Sequence, residues 1–465
     1  MGRIQNRVLR RMGDPVTTFQ QRWAAATALC ERPNDIGVPG ERGFGVGLYP
    51  SPRLPSGFSE MAGTRDRRSP NFGNYHYSDG SVMVWRPAFY YRIGHADNPT
   101  FAAYGANSID IQPERAFVSR AEAAAAGYAL HRAFINGGEQ MRGFMLDKYQ
   151  CSNNGGIASS IKNGNPLSSS GAHNGFSGLA GAPGNNYAGA LDAAKTRGAQ
   201  FHCASRFQFT TGAMISMAHG QRATLETCAW FDGTGEKNYP KGNNNNALRD
   251  VDDTSVVYIT DGYSSCGKTG SASPFAKTTD NGQACGVADL NGNMWEINTG
   301  MTRPGSSAGD AALQNDAAAF YILKESVDVN ALASGWNAGE TGSMAAWGDA
   351  AHLATLYDPT TLAHIGSGSG WARFGNGGNQ VLDHATTEDG YRITGAGIYL
   401  PTGKSGGGSA LFGIDGLYEY HRANMCLLSG GYWYSTSYAG VWALSLASDR
   451  AGSLVSVGLR ASAYV

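Results

Sequence analysis

The side chains with most to offer chemically stand in the last forty or so residues. Between Gly431 and Gly440 run Tyr432, Trp433, Tyr434, Ser435, Thr436, Ser437 and Tyr438, and a second polar group, Ser448, Asp449 and Arg450, follows further on. Tyr presents a large amphipathic ring with only two side-chain torsions to freeze, and Ser adds adaptable hydrogen bonds. Apolar, strand-like stretches alternate with these groups: Gly440-Val-Trp-Ala-Leu-Ser-Leu446 and Leu454-Val-Ser-Val-Gly-Leu459. A stiff frame that presents Tyr/Ser loops is suited to binding a partner that it does not chemically change.

Other candidate chemistry is weaker. Gly262-Tyr-Ser-Ser-Cys-Gly-Lys-Thr269 has the phosphate-loop spacing, yet Gly270-Ser-Ala-Ser-Pro274 follows it, turn chemistry where a helix N-terminus must open. Asp250-Val-Asp-Asp253 lacks the Gly and Glu of a calcium loop and reads as a solvated acidic loop. Seven cysteines (30, 151, 203, 228, 266, 285 and 426) are dispersed with no C-x-x-C, which predicts small buried hydrophobes and not a disulfide framework. None of the ten histidines has another four residues away, so each reads as a surface or satisfied histidine.

The elements that must position these groups point to an α+β fold. The chain has 465 residues, a net charge of −1, 16% charged residues, 65 glycines and 49 Phe, Trp and Tyr. Low charge excludes steering toward nucleic acid or an anionic membrane. Abundant Gly and aromatics predict short strands and turns around a real core. Helices are expected at 14–31, 119–132, 187–197 and 205–219. Strands are expected at Ser81–Ile93 (broken at Pro87), Gly143–Gln150 and Ser255–Thr260, with an isolated helical or strand piece at Ala317–Leu323. The stretch from Pro33 to about Asn74 reads as an extended arm or loop, and 231–285 and 299–410 read as long loops. No apolar run reaches the ~18 residues of a membrane span, and no signal peptide is visible, so synthesis in a cytoplasm is expected.

Cys285-Gly-Val-Ala-Asp289-Leu-Asn-Gly-Asn-Met-Trp-Glu296 resembles the G-x-x-D-x-x-G-N-x-W-E signature of C-type-lectin-like folds in the formylglycine-generating-enzyme branch. Gly143-Phe-Met-Leu-Asp-Lys-Tyr-Gln-Cys-Ser-Asn153, the Ala193–Phe209 segment and Gly430-Gly-Tyr-Trp433 are similar to that family's other segments, in the same order. Within it, the chain most resembles phage tail and prophage receptor-binding proteins, including the variable proteins of diversity-generating retroelements. Tyr77–Ile93, Ala133–Glu139, Leu411–Tyr418 and the C-terminal tail carry that likeness.

The resemblance implies a C-type-lectin-like domain over 76–465 with long loop insertions, a ligand-binding segment at 411–465, and an attachment region at 1–75. Trp295, Trp433, Trp442 and Arg460 would be framework. Tyr418, Tyr432, Tyr434, Ser435, Thr436, Ser437, Tyr438, Ser448, Asp449 and Arg450, with Ser445, Ala447 and Ser453, would face a ligand or vary. It also implies a structural Ca²⁺ held by the carboxylates of Asp289 and Glu296 and the carbonyls of Gly292 and Met294, an all-oxygen set that suits a hard cation. The family's enzymes need a cysteine pair beside the Gly-Gly strand or an H-x-x-x-H-x-E cluster. Only Cys426 lies near, and His421 stands alone.

The expectation is therefore a non-enzymatic adhesin of a phage tail tip. It would recognise a bacterial surface polysaccharide or protein, bind baseplate or tail proteins, and form a homotrimer in the virion, without nucleic acid or membrane insertion. Arg3, Arg7, Arg10 and Arg11 would pair with acidic baseplate surface or form a solvated basic end. The alternatives are a structural baseplate protein or an oxidoreductase of the formylglycine-generating type.

Overall fold

The computed structural model describes residues 33–233, 239–304, 320–332, 350–360, 370–373, 413–420 and 422–465. The expected helix at 14–31, the four N-terminal arginines, Cys30, His421 and most of 299–410 lie outside them.

Two sheets organise the described residues, and the α+β character expected from composition is what they show. The first has six antiparallel strands in the order Phe58–Glu60, Asn74–Tyr77, Val82–Pro87, Gly143–Asp147, Ala461–Ala463 and His202–Cys203. The second runs Tyr357–Thr360, Phe320–Leu323, Trp295–Thr302, Met425–Ser429, Leu444–Asp449, Gly416–Glu419 and Gly370–Arg373. Val457–Gly458 adds to it by parallel pairing with Trp295 and Glu296. A smaller three-stranded sheet joins Ile109–Pro113, Phe89–Ile93 and Ala129–Leu130. The last ten residues thus pass from the second sheet to the first.

One helix fills the middle. Arg206–Gly220 is buried at all fifteen positions. A helix enclosed all round needs no polar stripe, which is why its apolar and small residues follow no single face. It opens with a reciprocal cap: Ser205 Oγ accepts from Gln208 N at 3.2 Å, while Gln208 Oε1 accepts from Ser205 N at 3.0 Å. Such a cap contributes about 1 kcal/mol. The helix expected at 187–197 forms as Tyr187–Lys195, with Asn186 Oδ1 capping Gly189 N at 2.9 Å.

Three expectations fail for identifiable reasons. The helix expected over 119–132 stops at Arg120–Ala125. Gly127, at φ +79°, ends it in the left-handed conformation that glycine adopts freely, and Ala129–Leu130 pairs with Tyr90 and Tyr91 instead. Ser255–Thr260 forms no strand; Val257 and Thr260 make only isolated bridges, and Val257 and Ile259 are exposed.

The third failure is the domain boundary at 75. Ile36, Phe44, Val46, Leu48 and Phe72 are buried in the same core as Arg206–Gly220, and the boundary would cut the strand Asn74–Tyr77. Asn281 Nδ2 donates to the Phe44 carbonyl at 2.8 Å, and Gly40 N donates to His219 Nδ1 at 3.0 Å. Single apolar residues anchored one at a time leave no period to read, so a core segment looked like an arm.

Candidate recognition surface

The frame is locked by one buried cation. Arg460 stands where the chain leaves the second sheet for the first, between Val457–Gly458 and Ala461–Ala463. Its guanidinium donates to both carboxylate oxygens of Glu296 (3.1 and 2.9 Å), to the Asp147 carbonyl at 2.7 Å and to the Ala288 carbonyl at 2.8 Å. Both side chains are 1% exposed. Burial alone would lower this guanidinium's pKa, but Glu296, Asp289 and Asp147 together outweigh it and the net shift is upward. A paired, fully hydrogen-bonded ion of this kind is costly to break from one side.

Against this frame the expected calcium donors do not fit a cation. Asn293 Oδ1 accepts from Gly267 N at 2.8 Å, so the Asn293 amide nitrogen must face Gln150, donating to its Oε1 at 3.0 Å. That orients Gln150 Nε2 toward the carbonyls of Met294 (2.9 Å) and Asp289 (3.3 Å) and toward Glu296 Oε1 (3.2 Å). An amide N–H donor thus faces two of the expected oxygens, the Met294 carbonyl and the Glu296 carboxylate. The Gly292 carbonyl accepts from Met294 N, Glu296 is spent on Arg460, and Asp289 Oδ2 accepts from Gly270 N at 2.6 Å. Burial raises the Asp289 carboxyl to about 6, against the opposing pull of the Gly270 N–H and the Arg460 guanidinium. Asp289, Gly292, Met294 and Glu296 act as structural ties, and so arranged their oxygens do not fit a calcium ion. Trp295 packs in the main core.

The display loop leaves the strand Met425–Ser429 through two glycines. Gly430 and Gly431 take φ +92° and +88°, and a Cβ on Gly431 would fall 2.5 Å from Ala439 Cβ. Beyond them the backbone is held on several sides. Trp433 N donates to the Asn293 carbonyl (3.2 Å), Asn246 N to the Trp433 carbonyl (2.7 Å) and Thr436 N to the Asn244 carbonyl (2.8 Å). Ser435 Oγ turns inward to accept from Tyr432 N at 3.0 Å and is buried. Trp442 is fully buried, and its backbone N–H donates to Asp415 Oδ2 at 2.8 Å.

On this fixed backbone, Tyr434 is 57% exposed and Thr436 is exposed, while Tyr432, Ser437 and Tyr438 are half-buried. Tyr438 lies 4.4 Å from the Trp371 ring, and the Arg373 guanidinium stands 3.6 Å over its centroid. Arg373 also donates to the Ser437 carbonyl and, at 2.9 Å, to Ser437 Oγ. Tyr418 joins the group edge-on to Trp371 at 5.0 Å. Beside Ser437 a narrow polar recess is lined by Lys241, Asn244, Asp250, Asp252 and Asp415.

The structure divides the expected ligand-facing set. Ser429 pairs with Leu444 beside the loop, whereas Met425 pairs with Asp449 and Cys426 with Ser448 at the far end of the same strands. Four residues of strand separate the two ends by roughly 13 Å. Ser448 and Asp449 are therefore half-buried groups on a different part of the surface. Arg450 is not ligand-facing at all. Its side chain is fully buried and donates to Thr302 Oγ1, to the Arg303 carbonyl at 3.0 Å and to Asn424 Oδ1 at 2.8 Å. A long cation in a polar run reads as surface, and only the fold reveals carbonyls around it.

Other readings also change or settle. Asp250 is not solvated: it is 1% exposed and accepts from the amides of Gly242, Asp252 and Asp253. The amides of Gly267 and Lys268 in the phosphate-loop pattern are committed to Asn293 Oδ1 and the Ile259 carbonyl. The six described cysteines are free and buried. Burial lowers His131 to about 3 and His202 and His219 to about 4. Trp371, Arg373, Lys241 and Asp415 were missed. Trp371 and Arg373 had one signal, a lone aromatic and cation set in a Gly/Ser-rich stretch.

No family model matches the sequence, and no curated protein matches it. Among solved structures, the chain is similar to one titled Major Tropism Determinant U1 Variant, at 11% identity and a TM-score of 0.27, covering 90% of this chain and 76% of that one. A superposition at that score defines neither fold nor function. Among the described residues no helix is long and apolar enough to cross a membrane.

Proposed function

We propose that the chain is a non-enzymatic receptor-binding protein of a phage or prophage tail. In this reading it carries a C-type-lectin-like domain of the formylglycine-generating-enzyme branch and binds a bacterial surface polysaccharide or protein. The observation that carries the reading is Tyr434, a large amphipathic ring left mostly exposed on a loop whose backbone is tied to Asn244, Asn246 and Asn293. An aromatic on a pre-ordered loop loses little entropy on binding. Tyr432, Thr436 and Ser437 extend the contact area, and the recess beside Ser437 supplies polar partners. The N-terminal region would attach the protein to the baseplate, and a homotrimer in the virion would multiply weak contacts into avidity.

The test is host adsorption by particles carrying Tyr434→Ala. We expect assembly and particle yield to be unchanged and adsorption to fall at least tenfold. Failed assembly with a normally folded variant would instead support a structural baseplate role.

A further inference from the structure

Under the display loop lies a group of side chains that the receptor reading does not use. His173, Asp261 and Cys266 bring one imidazole nitrogen, one carboxylate and one thiol within 4.8 Å of one another. His173 Nδ1 lies 2.7 Å from the Val455 carbonyl, and Nε2 lies 2.6 Å from Asp261 Oδ2. A carbonyl only accepts, so Nδ1 carries a hydrogen and Nε2 is the atom turned toward the carboxylate. The imidazole is further held flat on Tyr263, ring centroids 4.2 Å apart, and edge-on to Trp433 at 6.0 Å. The side chains of His173 and Asp261 are 2% and 0% exposed, and Cys266 is fully buried.

An imidazole oriented by an Nδ1–H···O=C bond, with Nε2 facing an anionic donor, is the arrangement that fixes metal-bound histidines. We propose that His173 Nε2, the Asp261 carboxylate and Cys266 Sγ form a zinc site. A mixed N, O and S set suits Zn²⁺, whereas thiolate and imidazole select against Ca²⁺ and Mg²⁺. Zinc bonds of about 2.0–2.3 Å place neighbouring tetrahedral ligands roughly 3.3–3.8 Å apart. The cluster therefore needs side-chain shifts of about 1 Å: Asp261 moves off His173, and Cys266 moves in. Met294 Sδ, 3.7 Å from Cys266 Sγ, offers a soft fourth donor; a water would serve otherwise. On binding, the thiol proton and the hydrogen shared by His173 and Asp261 leave to solvent.

The consequence is local. Cys266, Met294 and Trp433 share one apolar cluster with Tyr263, Tyr432 and Val455 packed against it. Zinc would cross-link the 261–266 loop to His173 directly beneath Trp433, stiffening the base of the display loop.

The test uses the purified full-length chain, stripped with EDTA and titrated with CoCl₂ alone. One equivalent should produce tetrahedral d–d bands and a thiolate-to-cobalt charge-transfer band, bleached by one equivalent of ZnCl₂ and unaffected by CaCl₂. Affinity should fall about 100-fold or more in Cys266→Ser and His173→Gln, and remain unchanged in Cys30→Ser and Cys228→Ser. A folded wild-type chain that shows no thiolate band overturns the site without recourse to any variant, as does a band that persists in Cys266→Ser. These readouts follow metal and not adsorption, so the zinc site and the receptor reading fail separately.

Discussion

In the turn from Asp289 to Glu296 all the polar side chains point inward. Asp289, Asn291, Asn293 and Glu296 are buried, and their partners are Gly270 N, the Pro240 carbonyl, Gln150 and Arg460. In the loop from Gly430 to Val441, the backbone is tied down, Ser435 and Ser437 accept hydrogen bonds, and Tyr434 and Thr436 are left facing solvent. The turn is where rigidity is made, and the loop is where it is used. A polar cluster is informative only once its hydrogen bonds are counted: the richer set of ligand-like oxygens is the one with nothing left to offer.

Substitutions in the two regions should therefore separate stability from binding. The largest stability loss is expected for Arg460→Ala, which leaves Glu296 buried without its partner. About 3–5 kcal/mol should be lost in denaturant unfolding, and a loss below 1 kcal/mol would remove Arg460 as the tie between the sheets.

Asp289→Asn should act in the opposite direction. The folded pKa of about 6 lies above the unfolded value of about 3.9. Stability from this group is thus fully present below pH 4 and is lost as pH rises through 6. Asparagine tolerates the positive φ of 60° at this position and can accept from Gly270 N without carrying charge. The variant should gain on the order of 2–3 kcal/mol at pH 7 and lose the wild-type slope between pH 4 and 6. A calcium-dependent rise in wild-type melting temperature that Asp289→Asn abolishes would reinstate the cation instead.

Tyr438→Ala tests the seam between the regions. Losing the Trp371 and Arg373 contacts should cost about 1–2 kcal/mol and weaken adsorption through a looser loop. Tyr434→Ala should change stability by less than about 0.5 kcal/mol, the smallest effect on folding and the largest on binding.

Much of the scaffold was legible because its signals are local. The helices expected at 187–197 and 205–219 and the strand break at Pro87 depend on neighbours within a few residues. The core role of 33–75 was not legible, because Ile36, Phe44 and Phe72 anchor without a period. Nor was Arg450, whose acceptors Arg303 and Asn424 are distant in the chain or unremarkable in type.

By itself the sequence determined which residue types occupy the C-terminal segment, that they sit between stiff apolar strands, and that the chain is α+β. Those follow from torsional preference, side-chain size and alternation, all of which act over a few residues. Only the tertiary structure decided which polar groups remain free. Arg450 and Glu296 were claimed by partners from across the chain, and Ser435 and Asp250 by backbone amides within eight residues, because a buried polar group must be satisfied. Tyr434 was left exposed because the folded backbone around it needed nothing from its ring.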